Sequence, residues 1–499
     1  MKVNKDKWIF LLALPLILLG QLGCKKFLDR KPLGGAIDGD VAQGAVEEQV
    51  FGLYAATRNW GMTQMPFLMV HSVRSDDADK GSTPTDGADS ESFYDDFSYT
   101  KDHWLMTAYW DDHYAFISLA NNVIHTVDSL KLTDAPSIIN KAEAHFMRAY
   151  AYFDLVRSFG EVPKIDFKIY KPADGNKPKS TVADIYALID ADLNFASANL
   201  PLSWSPQFIG RLTKGTANTL HAKTYLYRQN WATALNKAEE VINSKEYDLI
   251  TPYSKLFTEA GENSKESIFE IQNYSSANGS QVFSNYFVNY QGVRGSGDWD
   301  LGWGWNAPNQ VLVNAYETGD PRKDATILYS GQVDQYGQLV PPSPPLARPY
   351  WNKKVHTDPV RRQATGDRFG SWLNMPILRY ADVLLMAAEA ANEMGGAANT
   401  TKALGYLEQV RARARGGNNS ILPPVTTTNQ ALLRDAIRKE RRAEFGMEYE
   451  RFFDLVRWGI AGPTFSAMGK NFEPRDKYMP IPQSAIDKSG NVLVQNPDY

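Results

Sequence analysis

Ala234-Leu235-Asn236-Lys237-Ala238-Glu239-Glu240-Val241-Ile242 and Ala403-Leu404-Gly405-Tyr406-Leu407-Glu408-Gln409-Val410-Arg411 agree at their first, second, sixth and eighth places, as Ala, Leu, Glu and Val. Both stretches put apolar residues on one side of a 3.6-residue helix. Each reads as the second helix of a pair. The first pair spans 214–245, with a break at Gln229-Asn230. The second spans 376–415, and its leading helix carries Ala387, Ala388, Ala390 and Ala391, small enough to let a neighbouring helix approach closely. Two helices in about 34 residues is the size of a tetratricopeptide unit.

Working outward, Ala142, Phe146, Ala149, Phe153 and Val156 recur at helical spacing, and Gly160 and Pro163 stop them. Thr181-Val182-Ala183-Asp184 is a helix-start pattern of the Ser/Thr-x-x-acid kind. It opens a helix through Ile185, Leu188, Ile189, Leu193 and Ala196, which ends at Leu200-Pro201. Between 246 and 375 the period fades, while Gly-Ser-Gly and Pro-Pro-Ser-Pro-Pro punctuate the chain. Residues 75–101 have a similar texture, with Phe93, Tyr94, Phe97 and Tyr99 set among Asp, Ser and Gly. The expected fold class is mainly α: a tetratricopeptide-like helical repeat scaffold, with long irregular loops and a few short strands. Helical repeats are expected over about 107–245 and 376–458, and a loop-rich, ligand-binding region over about 246–375. Loops this long in a compact protein are usually functional or disordered, and the aromatic residues favour function.

The 499 residues are 43% apolar and 22% charged, which excludes disorder and fibrous repeats. Lys plus Arg number 53 against 57 Asp plus Glu, so there is no basic field for nucleic acid. Residues 1–23 read as a signal peptide, from Lys2, Lys5 and Lys7 followed by the apolar run Trp8 to Leu19. The single cysteine, Cys24, follows Gln21-Leu22-Gly23 where such a signal is cut, which resembles a lipobox and implies lipidation of Cys24. It departs from the usual pattern, which has Leu three places before the cysteine and Ala or Ser two before. Residues 24–499 are then a single body tethered by its N-terminus.

Catalytic patterns fail. The seven histidines form neither HExxH nor HxH, and GxSxG is absent. Gly302-x-Gly304-x-x-Ala307 has tryptophans where backbone would have to approach a pyrophosphate. No cofactor is expected. Calcium is left open at Asp76, Asp77, Asp79, Asp86 and Asp89, although these lack the order of a calcium loop and read first as a solvated acidic loop.

One constellation remains. Asp298-Trp299-Asp300-Leu301-Gly302-Trp303-Gly304-Trp305-Asn306 sets three indoles beside short polar groups, and a sugar needs flat platforms for its C–H faces and hydrogen-bonding groups for its hydroxyls. Trp299, between two carboxylates, is the first choice for an exposed platform. Trp303 and Trp305 are candidates that could instead plug a glycine-rich loop. Asp298, Asp300 and Asn306 are the polar partners, and the segment from Asp76 to Trp104 is a candidate opposite wall.

Lys25-Lys26-Phe27-Leu28-Asp29, the run from Ala142 to Pro163, Arg379-Tyr380-Ala381-Asp382, Ile437-Arg438-Lys439-Glu440-Arg441-Arg442-Ala443-Glu444-Phe445, Phe453-Asp454-Leu455-Val456-Arg457-Trp458-Gly459 and the closing Asn496-Pro497-Asp498-Tyr499 occur in one order. In that order the chain resembles the SusD/RagB family of outer-membrane nutrient-binding lipoproteins. The resemblance implies a non-enzymatic, lipid-anchored protein on the outer membrane. It would capture an oligosaccharide or other oligomeric nutrient and pass it to a SusC-like TonB-dependent transporter. The rival is an exported α-helical glycoside hydrolase or lyase using Asp298 and Asp300, and a structural repeat adaptor is a third reading. Glu440, Arg441, Arg442, Glu444, Arg451, Asp454 and Arg457 read as ion pairs along helix faces, and Arg379 with Asp382 likewise.

Overall fold

In a computed structural model, which describes residues 45–250 and 252–499, the expected pairs stack side by side. The longer helices are α1 (Ala45–Ala56), α2 (Trp104–Ser129), α3 (Ala135–Phe159), α4 (Val182–Asn199), α5 (Lys214–Tyr227), α6 (Trp231–Ser244), α7 (Tyr380–Met394), α8 (Ala397–Arg415) and α9 (Gln430–Phe445). Each from α2 to α8 packs on the next, and α9 closes on α7. Because α6 lies directly against α7, the excursion between them leaves the helical array and returns to the point it left. The fold is the tetratricopeptide-like scaffold expected. Residues 1–23 and Cys24 lie outside the described residues.

The aligned stretches have equivalent roles. Ala234, Ala238 and Val241 are buried in one, and Ala403, Leu407 and Val410 in the other. Leu404 is only half-buried, whereas its counterpart Leu235 is buried. Two boundaries differ from expectation. α2 starts at Trp104 rather than near 107, and 375–379 are a strand, so the second pair begins at Tyr380. α4 opens with the capping box read from sequence: Asp184 N donates to Thr181 Oγ1 at 3.1 Å, and Thr181 N donates to the Asp184 carboxylate at 3.3 Å. Thr181→Ala is expected to lower stability by about 1 kcal/mol, read as a shift in denaturant midpoint at unchanged slope.

Among the described residues the strands have two to five residues and pair two by two. They are β1 (Ala78–Gly81) with β7 (Trp305–Pro308), β2 (Val162–Pro163) with β3 (Lys179–Ser180), β4 (Ser267–Ile271) with β10 (Met375–Arg379), β5 (Tyr274–Ser275) with β6 (Val282–Phe283), and β8 (Ile327–Tyr329) with β9 (Tyr350–Asn352). All are antiparallel. The loop-rich region has small apolar centres of its own, one of them around Val293, Leu301, Leu328 and Trp351. Phe93, Tyr94 and Phe97 are buried in the main core.

The charge-rich motifs are arranged differently from expectation. Of the charged residues singled out in these motifs, only Asp454 and Arg457 pair along a helix, at 2.9 Å. Arg441 reaches Asp382 and Asp454, at 2.5 and 2.7 Å. Glu444 accepts from Arg413, Arg379 and Arg322 at 2.5, 3.1 and 3.2 Å. Arg379 and Asp382 do not pair with each other; Arg379 also holds Glu266 at 2.6 Å, and Asp382 holds Lys223 at 2.9 Å. The last turns of α9 are buried, so charges there must be satisfied by other elements rather than by neighbours at an exposed surface.

The same network fixes the wall of the site. Arg451 and Arg442 hold Asp76 at 2.7 and 3.0 Å, and Arg442 also holds Asp77 at 2.5 Å. These two carboxylates stand immediately before β1, whose partner β7 leaves the tryptophan loop.

Candidate functional site

Pairing of β1 with β7 sets Gly81 opposite Trp305, so the segment from Asp76 to Trp104 and the loop from Asp298 to Asn306 meet. The loop is folded back on itself. Leu301 N donates to Val293 O at 2.9 Å, Trp303 N to Asn289 O at 2.8 Å and Gly304 N to Gly292 O at 2.9 Å. A Cβ at Gly292 would lie 2.2 Å from Leu301 O, and one at Gly302 would lie 2.6 Å from Asn289 O. Those glycines permit a turn tight enough to send the three indoles in three directions.

Trp303 points out, 49% exposed, its ring edge-on to Tyr290 with centroids 4.9 Å apart. Trp305 is 6% exposed within β7, where Lys80 Nζ lies 5.5 Å from its ring centroid. Trp299 is half-buried and stacks on His356, at 5.8 Å and 9° between planes. On the other side Trp104, 51% exposed, stacks on Trp60 at 5.4 Å, and its Nε1 donates to Asp89 at 3.1 Å. Between them lies an open cleft of about 660 Å³, with Trp60, Trp104, Tyr290, Trp303 and the edge of Trp305 as its aromatic walls.

Four charged side chains reach this cleft, and they are paired. Arg294 donates to Asp86, and to Ser82 Oγ at 2.6 Å; Arg368 donates to Asp300. Partial burial would raise the Asp86 carboxyl, but hydrogen bonds from Ser82 and Arg294 and the guanidinium charge outweigh it and hold it below its usual range. Carboxyls raised by burial, Asp95 to about 7 and Glu262 to about 8, do not line the cleft.

Of the residues singled out from sequence, Trp303, Trp305, Asp300 and Trp104 line the cleft. Trp299 and Asp298 do not, although Asp298 is exposed: consecutive residues of a short turn face different ways, so the carboxylates beside Trp299 reach solvent while its ring rests on His356. Asn306 is buried, with φ at 51° and its Nδ2 donating to Gln291 at 2.7 Å, so it serves the packing under β7. Asp76 is buried in its arginine pairs and does not face the cleft. The solvated acidic loop is therefore in part a buried anchor. For calcium, Asp76, Asp77, Asp79 and Asp86 are taken up by arginines and Asp89 by Trp104 Nε1. Among the described residues no group of three or more His, Cys, Asp or Glu converges as a metal site would require. Sequence reading missed Trp60, Tyr290, Arg294 and Arg368. Trp60 lies far from the loop in sequence and Tyr290 is one of several aromatic residues from Phe283 to Tyr290, so only the fold singles them out as walls of the cleft.

Residues 265–499 match the SusD family, and residues 27–226 match a family described as starch-binding, associating with outer membrane. The SusD-like protein P2 of Formosa agariphila is 28% identical over 97% of this chain and 98% of its own. Two solved structures are similar over most of the chain. One, a laminarin-binding SusD-like protein, has a TM-score of 0.75 and 27% identity, covering 91% of this chain and 99% of that one. The other is surface glycan-binding protein A of Bacteroides thetaiotaomicron in complex with laminarihexaose, with a TM-score of 0.74 and 26% identity over 90% and 98%.

Proposed function

Because the chain belongs to the SusD/RagB family, we propose that it is a non-catalytic glycan-binding protein of the outer membrane, taking an uncharged oligosaccharide in the aromatic cleft. The observation that carries this is the cleft itself. Two indoles on opposite walls, Trp104 and Trp303, offer apolar faces, and two arginine–carboxylate pairs offer hydrogen bonds without net charge. Flat aromatic surface beside polar groups of balanced charge suits a neutral sugar better than an acidic one. The laminarin and laminarihexaose named for the two similar structures support this class and make β-glucans the first probes. An acid catalyst would need a carboxyl kept protonated near neutral pH; Asp86 is pulled the other way and Asp300 is committed to Arg368. Acylation at Cys24 would hold the protein at the membrane, and delivery to a SusC-like TonB-dependent transporter would complete its task. Family membership supports both of these steps.

Calorimetric titration with the hexasaccharides of laminarin, cellulose, xylan, starch and mannan tests the reading, run beside an assay for new reducing ends. Saturable binding to at least one series without release of ends is expected. Turnover, or no binding to any of them, would overturn it.

A further inference from the structure

β5 and β6 place Tyr274 directly opposite Phe283, and both are open to solvent, 51% and 45% exposed. Their rings lie 29° from parallel with centroids 6.4 Å apart. Tyr286, 39% exposed, follows just beyond β6. Such a cross-strand pair adds little to a hairpin's stability, and this hairpin has other fastenings. Asn273 Nδ2 donates to Asn285 Oδ1 at 3.0 Å, and Asn285 N donates back to Asn273 Oδ1 at 3.0 Å. At the tip, Gly279 comes so close to the chain at Thr365 that a Cβ would lie 2.4 Å from its carbonyl oxygen. Three exposed aromatic rings on a rigid mount are therefore not accounted for by the hairpin's own stability.

The mount lies beside the cleft. At its base Arg58 Nη1 donates to Gln272 O at 3.1 Å, and Asn285 Nδ2 to Thr63 O at 3.2 Å, on either side of Trp60 in sequence. Its tip rests on Thr365, three residues before Arg368. Tyr290 N donates to Tyr286 O at 3.2 Å, so a single helical turn links the exposed Tyr286 to the cleft wall. The connecting turn, Ser276 to Gln281, has no charged residue, which suits a neutral chain rather than an anionic surface.

We propose that Tyr274, Phe283 and Tyr286 form an outer aromatic platform that binds further sugar units of a chain whose other units occupy the cleft. The platform makes the site selective for long glycans over short ones. This extension rests on the glycan reading of the cleft.

The test compares trisaccharides with hexasaccharides of the five series named above, on wild type and on Tyr274→Ala/Phe283→Ala. Wild type is expected to bind the hexasaccharide about tenfold more tightly than the trisaccharide. The double variant should lose that gain and keep its trisaccharide affinity. Equal affinity of wild type for the two lengths, or a double variant that still binds the hexasaccharide at full strength, overturns the platform while leaving the cleft intact. A wild type that binds no glycan of any length removes the cleft reading and the platform with it. Tyr274→Leu/Phe283→Leu keeps an apolar cross-strand pair without flat rings, and it should bind as the Ala pair does. Wild-type binding by the Leu pair would assign the rings to packing or to a protein contact, and overturn the proposal.

Discussion

Glu444→Gln is expected to cost the fold about 3–5 kcal/mol, because it removes the charge that three buried guanidinium groups share. Arg413, Arg379 and Arg322 converge on this carboxylate from α8, from β10 and from the loop-rich region. The neutral amide leaves them buried without enough negative charge, and it unfastens the excursion from the helical array. Denaturant midpoints measure the loss. Lys488→Ala, which breaks an exposed pair with Asp111, is the control and should change stability by less than about 1 kcal/mol.

The same substitution has a signature in pH. Burial alone would raise the Glu444 carboxyl, yet the three arginines and Lys354 outweigh it and bring it from 4.5 to about 2. A carboxyl held below its unfolded value stabilises the fold above that value, and the contribution is lost as pH falls from about 4.5 toward 2. Glu450, brought to about 2 by Arg157 and Lys223 against its burial, adds in the same direction. His71, kept neutral by burial and brought to about 3, makes the loss begin near pH 6.5. Asp95 and Glu262, raised by burial to about 7 and about 8, act with the opposite sign: their contribution is full below about pH 4 and fades as pH rises through those values. In Glu444→Gln the acid limb below pH 4.5 should be shallower than in wild type.

The helical array was legible because its signals are local. The capping box at Thr181 and the spacing of Ala234, Ala238 and Val241 depend on neighbours within one helix. The charged motifs misled for a related reason: spacings of three and four imply pairing along a surface only if that surface meets water, and the end of α9 is buried. For the cleft, the sequence pointed to the loop and to its opposite wall, since Trp303 and Trp104 are part of both readings. It could not rank the indoles. Neighbouring carboxylates favoured Trp299, but the order of exposure is set by the glycine-closed turn and by His356, which lies far away in the chain. Trp60 and Tyr290 gave no local signal because their role exists only once α2, the turn near Thr63 and the excursion have met.

Trp303→Ala and Trp104→Ala are each expected to weaken hexasaccharide binding about thirtyfold, the loss of about 2 kcal/mol typical of an aromatic anchor. Both rings are about half exposed, so little core packing goes with them and the melting temperature should hardly move. Trp305→Ala separates affinity from stability. Its indole fills the space under Gly87, where even an added Cβ would lie 2.2 Å from the ring, and its backbone pairs with Gly81. Its truncation should cost about 3–5 kcal/mol of stability as a core aromatic does, with binding lost only as far as β1 and β7 loosen. Trp299→Ala should keep full affinity and lose only its stack on His356 and its packing on the apolar centre around Leu301 and Trp351. If Trp299→Ala abolishes binding while Trp303→Ala leaves it intact, the sugar lies on the other side of the loop and the cleft is not the site.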